Sequence, residues 1–506
     1  MAFLRNLEIK NLRSLKDVGE VPIAPITILL GKNSVGKSTF ARVFPLLRQS
    51  VESKKRSPIL WFGDYVDFGS FEQAISRGEE EISIGFNIDI FYDHEKISPW
   101  ASKIYLEQPY RIGNERNFSI NSARVVLTLS GSEAVYAKKL SIATVDLSIE
   151  LNFNESNKFK DLLVNGEKIK LPENGKVMVQ QGNILPLLSF FLERKLGGEN
   201  YLFRTSQLVK QFDADLKPSV TKAMAKFAFI GAEDLSVSIS KRRVKKPEEF
   251  IKMLDYAKYL QKNFAINNCF GLIDLIDEAL KDYFSSVKYL KPLRATAERY
   301  YRRQDLSVQE IDAEGRNLPM FLDSLTQSQL KDFQDWLDPV LGLSVSAKRE
   351  GGQVMVVAKT DEDAEPYNIA DMGFGISQVL PIAAQLWMVQ KPRITKGFPV
   401  VIEQPELHLH PDYQARLADL FAASLGKNKN KRNSLIVETH SPHIVNRLGE
   451  LVESGKLARE DVAILLFEPS QDETKNVKIR VSNFDEEGVL QNWPFGFFEP
   501  ELKNVD

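Results

Sequence analysis

The sequence predicts an α/β fold: a head that carries an antiparallel β subdomain and a helical insertion. Three observations predict it. The apolar run Ile26-Thr27-Ile28-Leu29-Leu30 leads into Gly31-Lys32-Asn33-Ser34-Val35-Gly36-Lys37-Ser38-Thr39, and then into Phe40-Ala41-Arg42-Val43-Phe44. That order is strand, Gly-rich loop, helix, with the spacing G-x-x-x-x-G-K-[ST]. Period-2 runs such as Ile82–Ile88 and Val125–Leu129 recur between residues 80 and 180, which reads as an antiparallel sheet. Two further apolar runs, Phe398–Glu403 and Ser434–Glu438, end in acidic and polar residues late in the chain.

The loop explains its own residues. Gly31 and Gly36 permit backbone angles that a Cβ would block. The N–H groups of Asn33, Ser34, Val35, Gly36, Lys37, Ser38 and Thr39 then converge on phosphates at a helix N-terminus, where the dipole favours an anion. Lys37 reaches the β- and γ-phosphates. Ser38 offers its hydroxyl to Mg²⁺, with Thr39 a second candidate.

Bulk properties narrow the partners. A chain of 506 residues is long enough for several cores. Its net charge of −2 provides no global field toward nucleic acid or anionic lipid. Cys269 is the single cysteine, which excludes an intramolecular disulfide and fits a reducing compartment. Met1–Lys10 alternates apolar and charged residues, as a strand does and a signal peptide does not. The apolar stretch Ile184–Leu192 contains Pro186 and is too short to span a bilayer. The expected location is the cytoplasm, with no membrane contact.

In chain order, residues 1–50 read as strand, turn, strand, loop, helix. An aromatic, Gly-punctuated loop, Ser57–Phe71, follows. The period-2 region comes next, with Asn165-Gly166 as a hairpin turn. From 184 to 290 the spacing turns helical: Leu272, Ile273, Ile276, Leu280, Tyr283 and Val287 share one face. Pro247 before Glu248 and Glu249 marks a helix start. Strands return near Val345 and Val354–Val357, and again at Val462–Phe467 and Val477–Val481. The expected division is residues 1–180 as the N-terminal half of the head with the antiparallel sheet, 181–335 as a helical insertion for dimerisation or partner binding, and 336–506 as the C-terminal half.

Four features crowd the C-terminal half. Asp371-Met372-Gly373-Phe374-Gly375-Ile376-Ser377-Gln378 opens the apolar helix Val379–Val389, with Pro381 expected in its first turn. Gly375 and Ser377 there form a second anion site at a helix N-terminus. The run Phe398–Glu403 ends in a carboxylate, where a P-loop enzyme holds Mg²⁺ or its water shell. Gln404, Pro405 and Glu406 come next, then Leu407-His408-Leu409-His410-Pro411. Last comes Glu438-Thr439-His440-Ser441. Four of the five histidines (His408, His410, His440 and His443) fall in this region. That invites a zinc site, but the flanking order fits a nucleotide motor better.

These motifs resemble the ABC-type ATPase superfamily on its RecF/SMC/OLD side. The resemblance makes Gly31–Thr39 the P-loop and Gly373–Gln378 the signature segment. It makes Val400–Glu403 the Walker B strand, Leu407–Pro411 the D-loop and His440 the switch histidine. A narrower resemblance runs through Asp67–Phe71, Leu290–Tyr301 and Trp493–Phe498, to prokaryotic ATPases with a DUF3696-type end. Several relatives of that kind serve anti-phage defence, among them the ATPases of Septu systems (with or without a retron) and of PARIS systems.

The resemblance implies ATP and Mg²⁺ as cofactors, with Ser38 and Glu403 toward the metal. Glu403, Gln404, Glu406 and His440 are the implied catalytic set, and Gly375 and Ser377 would meet the nucleotide of a partner subunit. It implies an ATP-sandwiched homodimer or higher homo-oligomer. The usual Walker B end is Asp-Glu, whereas this chain has Glu403-Gln404. Gln404 cannot take a proton, although it can orient a water, so slow or regulated hydrolysis is expected. No nuclease cluster is evident, which points to an effector on another polypeptide, an HNH nuclease or a toxin. The alternative is a RecF/SMC-like DNA-repair ATPase acting directly on DNA, and the chain lacks the long coiled coil that would favour it. Basic clusters at Lys241–Lys246 and Lys427–Arg432 are candidate nucleic-acid contacts or solvated loops. An ABC transporter subunit is disfavoured by the long insertion between Lys37 and Asp371.

Overall fold

Ile26, Ile28, Leu29 and Leu30 leave no polar face, so their strand belongs inside a parallel sheet. The computed structural model places it there. It describes residues 2–91, 119–131, 134–144, 148–169, 175–196, 199–204, 270, 272–305, 307–360, 365–390, 398–425, 433–469 and 476–494. The basic clusters at 241–246 and 427–432, the helix start at 247–249 and most of the aromatic tail lie outside these residues.

The chain forms two compact units. One comprises residues 3–54, 59–86 and 283–506. Its centre is a seven-stranded sheet. The elements of this sheet and its helices are β1 (Ile26–Gly31), α1 (Lys37–Glu52), β2 (Lys288–Leu290), α2 (Phe374–Gln390) and β3 (Pro399–Glu403). They continue with α3 (Pro411–Ser424), β4 (Ser434–Glu438), α4 (Pro442–Glu453), β5 (Val462–Pro469), β6 (Val477–Phe484) and β7 (Leu490–Gln491).

The spatial order is β2-β3-β4-β1-β5-β6-β7. Strands β2 to β5 are parallel, and β6 and β7 close one side antiparallel. Strands β1, β3 and β4 are buried along their whole length. The P-loop strand thus sits beside β4, and β4 beside β3, with Glu403 and Glu438 in register. The three C-terminal ends meet at one edge, where ligands bind in open α/β sheets.

Helices α2, α3 and α4 bury Trp387, Phe421 and Leu448 in the core over this sheet. Helix α2 begins at Phe374, earlier than the apolar run suggested. Pro381 therefore lies inside the helix and not in its first turn, and its missing N–H removes one backbone bond. In the same unit the strands Leu343–Glu350 and Gln353–Thr360 form a hairpin, as the sequence indicates.

The other unit comprises residues 1–2, 55–58 and 87–282. Strands Ser119–Ser130, Tyr136–Ala143, Ser148–Phe153, Phe159–Val164 and Glu167–Lys168 pair antiparallel in succession. Asn165 (φ 49°) and Gly166 (φ 80°) make the expected two-residue turn.

One expectation is corrected here. Helical spacing was expected from residue 184, but Pro186–Leu196 and Glu199–Arg204 are strands, paired with each other and with Gly175–Gln181. A short apolar run does not distinguish a buried strand from a helix by periodicity. Helix is present at 272–285, with Leu272, Ile273, Ile276, Leu280 and Tyr283 buried as predicted. Asp277 on it accepts the backbone N–H groups of Asn183, Ile184 and Leu185 at 2.8 Å each, which fixes the turn before the strand. Among the described residues no helix is long and apolar enough to cross a membrane.

Candidate nucleotide site

Gly31 and Gly36 set the loop. A Cβ on Gly31 would stand 2.5 Å from the Phe467 carbonyl oxygen of the adjacent strand β5. Gly36, at φ 100°, precedes the first residue of α1 in a conformation L side chains rarely adopt. Lys37 then folds back over the loop: Nζ donates to the Gly31 carbonyl at 2.9 Å and to the Lys32 carbonyl at 2.7 Å. Burial lowers its pKa, against the raising pull of Glu438 and Glu406.

The loop opens on a pocket of about 330 Å³ lined by Asn33, Ser34, Gly36, Lys37, Ser38 and Thr39. Gln404, Glu438 and His440 line its far side, and Arg13 and Ser14 complete it. The fold thus brings together the P-loop candidates with Gln404 and His440, which lie far apart in the chain.

Glu438 and Arg13 were not among the sequence candidates. Ser38 Oγ donates to Glu438 Oε1 at 2.8 Å. Burial, then the neighbouring Glu403, pushes Glu438 up to about 7. Its Oε2 is buried with no hydrogen-bond partner. The available signal was an acid ending an apolar strand, the same pattern that singled out Glu403. Arg13 stands at a positive-φ turn (52°), its guanidinium 4.3 Å from the Phe68 ring, and donates to the Asp67 carbonyl. No motif around Arg13 announces it, because Phe68 and Asp67 reach it only through the fold.

Other sequence candidates stand elsewhere than expected. Glu403 is 1% exposed and does not line the pocket. Arg42 binds both of its oxygens, at 2.8 and 2.7 Å, and the Tyr289 hydroxyl donates to Oε1 at 2.7 Å. The guanidinium is held protonated by that pairing, and burial beside Glu403 keeps the Tyr289 phenol neutral. Glu403 therefore serves an internal ion pair here, and the acid beside Ser38 is Glu438.

Glu406 is buried, and its Oε1 accepts the His440 backbone N–H at 2.7 Å. Burial raises its pKa; the hydrogen bond holds the His440 backbone, and Glu406 is not among the residues lining the pocket. The His440 imidazole, beside Lys37, has its pKa lowered by burial and by that charge, and at neutral pH it can accept a proton or a hydrogen bond.

Ser377, expected to meet a phosphate, is 4% exposed and donates to the Phe374 carbonyl of its own helix at 2.6 Å. The exposed residues of that turn are Gly373 and Phe374, and Gly375 packs on the His408 carbonyl. Among the described residues no three of His, Cys, Asp and Glu converge to hold a metal.

A P-loop at the C-terminal edge of a parallel sheet, facing a glutamine, an acid and a histidine from two neighbouring strands, defines a P-loop ATPase. The chain belongs to the AAA ATPase domain family, whose model matches residues 3–445, and residues 457–506 match a protein of unknown function, DUF3696. No curated protein matches the chain in sequence.

Among solved structures it is similar to the Smc head domain with an extended coiled coil bound to the C-terminal domain of ScpA from Pyrococcus furiosus. That likeness has 12% identity over 95% of this chain and 96% of that one, with a TM-score of 0.33. It is also similar to the SMC head domain from Thermotoga maritima, with 7% identity over 94% and 98% of the two chains and a TM-score of 0.35.

Proposed function

We propose that this ATPase is a nucleotide-operated switch whose site binds Mg·ATP between the P-loop and the edge formed by Gln404, Glu438 and His440. The observation that carries the reading is the Ser38–Glu438 pair inside the pocket. A buried acid pushed up toward neutrality, with one oxygen unpartnered, is an arrangement a divalent cation would relieve. Ser38 and Glu438 would hold Mg²⁺. The ion would neutralise charge on the β- and γ-phosphates.

The chain's own residues supply the rest. Lys37 exchanges its loop carbonyls for phosphate oxygens. Gln404 orients the attacking water, and neutral His440 accepts a hydrogen bond or a proton from it. With glutamine where a carboxylate would serve as base, turnover is slow. The turn at Gly373–Gly375 closes on the nucleotide of a second copy through backbone N–H groups, in the ABC-type manner, so ATP favours a dimer by binding the closed state better. The motifs at Asp67–Phe71 and Leu290–Tyr301 support the finer reading: a regulator of a separate nuclease or toxin in prokaryotic anti-phage defence.

Two measurements test this. Lys37→Ala should lose binding of a fluorescent ATP analogue, and Glu438→Gln should bind it but turn over poorly. Parent-like hydrolysis in both would sink the site. For the defence role, cells carrying the gene with its neighbours should resist phage, and Lys37→Ala should abolish that resistance. Sensitivity to DNA damage on deletion, without any effect on phage, would favour the DNA-repair alternative.

A further inference from the structure

Arg294 follows β2 on an irregular segment and is 4% exposed. Phosphate-loop chemistry does not account for a buried guanidinium there. Its contacts run in two directions. Toward α2, its backbone is held by one side chain: Arg294 N donates to Gln378 Oε1 at 3.3 Å, and Gln378 Nε2 donates to the Arg294 carbonyl at 3.2 Å. Toward β3, its guanidinium binds main chain: Nη1 donates to the Glu403 carbonyl at 3.4 Å and Nη2 to the Gln404 carbonyl at 3.3 Å. Nη1 also holds the Lys291 carbonyl at 2.9 Å.

The residue at the end of that chain is strained. Gln404 has φ 44° without being glycine. Such a backbone persists only where its surroundings over-determine it. Three contacts do so: the Gln404 N–H donates to the Glu438 carbonyl at 2.7 Å, and its own carbonyl accepts from Arg294 Nη2 at 3.3 Å and from the Leu407 N–H at 3.4 Å. Gln404 lines the nucleotide pocket.

Gln378 sits in the second turn of α2, the helix whose first turn is exposed at Phe374. The same helix start abuts the loop after β3, where a Cβ on Gly375 would stand 3.1 Å from the His408 carbonyl oxygen.

We propose that Arg294 is a positioning residue for ATP hydrolysis: through Gln378 it ties the first turns of α2 to the strained backbone of Gln404, so that a shift of α2 resets Gln404 at the pocket. This rests on the reading of Gln404 as the residue that orients water. It supplies a route by which whatever meets the exposed start of α2 changes turnover without touching the P-loop.

The test compares turnover and binding of a fluorescent ATP analogue in the full chain for Arg294→Ala, Arg294→Lys, Gln378→Leu and the Arg294→Ala/Gln378→Leu double variant. Misplacing a reacting group by about an ångström costs about 100-fold, so Arg294→Ala and Gln378→Leu should each lower kcat by roughly 10–100-fold, with analogue Kd within about threefold of the parent. Arg294→Lys, which can still reach one carbonyl, should recover part of the loss.

The double variant should be no slower than the slower single, because both break one linkage. Losses that multiply, or parent-like kcat in Arg294→Ala, overturn the proposal. So does a fall in binding equal to the fall in kcat. Should Arg294→Ala fail to fold, parent-like kcat in both Gln378→Leu and Arg294→Lys overturns it instead. Gln404→Ala separates the two readings. If it turns over normally, the role given to Gln404 fails. If it is slow while Gln378→Leu and Arg294→Lys are normal, only the linkage fails.

Discussion

Ser38 Oγ and Glu438 Oε1 stand 2.8 Å apart although 400 positions separate them in the chain. The pairing places an acid beside the hydroxyl offered to the metal. Glu438→Gln keeps the shape and removes the charge. Turnover should fall by roughly 10–100-fold while analogue binding changes by only a few fold. Phosphate release at saturating ATP measures it, and parent-like release would remove Glu438 from the chemistry.

The same acid gives a pH prediction. Burial and Glu403 raise Glu438 to about 7 from an ordinary 4.5. The folded state therefore holds this proton more tightly than the unfolded chain does. The stabilising contribution is full below about pH 4.5 and is lost as pH rises through about 7. Without nucleotide, Glu438→Gln should flatten that part of the thermal stability profile. In the presence of Mg·ATP the cation favours the carboxylate, so the parent's pH dependence should weaken. A profile identical in parent and variant would count against the assignment.

The Arg42–Glu403–Tyr289 cluster predicts a stability effect. Arg42→Ala leaves the Glu403 carboxylate buried without its cation. Because the Arg42 side chain is about a third exposed, the cost should lie near the low end for broken buried pairs, about 2–3 kcal/mol. Tyr289→Phe removes one hydrogen bond and should cost about 1 kcal/mol. Urea titration of both variants tests the order. If Tyr289→Phe proves the more damaging, the ion pair is not what organises this end of β3.

The sequence made some of this legible, and the reasons are local. Gly31–Thr39 is a contiguous backbone device, so its spacing alone reveals it. Strands β3 and β4 show as apolar runs ending in acids. What separates Glu403 from Glu438 is non-local, because Arg42 and Tyr289 come from other parts of the chain to claim Glu403. The orientation of Ser377 is non-local in the same way. A serine in a first helical turn can face a ligand or cap its own backbone, and only packing decides which. The strands at 186–204 were lost because a short apolar run carries no period that distinguishes strand from helix.

Ser377→Ala follows from that geometry. Its hydroxyl donates to the Phe374 carbonyl of its own helix, so the change should cost less than about 1 kcal/mol and leave kcat within about threefold. A loss of 100-fold would mean that the hydroxyl turns outward onto nucleotide during the cycle.

Gly31→Ala tests the loop's fit against its neighbour. The clash is with the Phe467 carbonyl oxygen, part of a central strand that cannot swing aside. Strand β5 or the loop must shift, and a misfit of this kind in a close-packed interior costs about 1–3 kcal/mol. Binding of the ATP analogue should weaken by at least roughly tenfold, because the loop N–H groups no longer converge. Parent-like affinity in a folded variant would show that the loop tolerates a second geometry.

The exposed start of α2 predicts association. Phe374 is 40% exposed, and its ring packs edge-on against His408 at 4.8 Å. If this turn meets a second copy's nucleotide, a charge there should block assembly without altering the pocket. Glu438→Gln, which retains ATP, should shift from monomer to dimer when ATP is added, as seen by sedimentation. Adding Phe374→Asp should hold it monomeric with analogue affinity unchanged, because Phe374 does not line the pocket. A dimer that forms equally well with Phe374→Asp would place the interface elsewhere. No ATP-dependent dimer at all would remove the composite site, and with it the reason for expecting α2 to move.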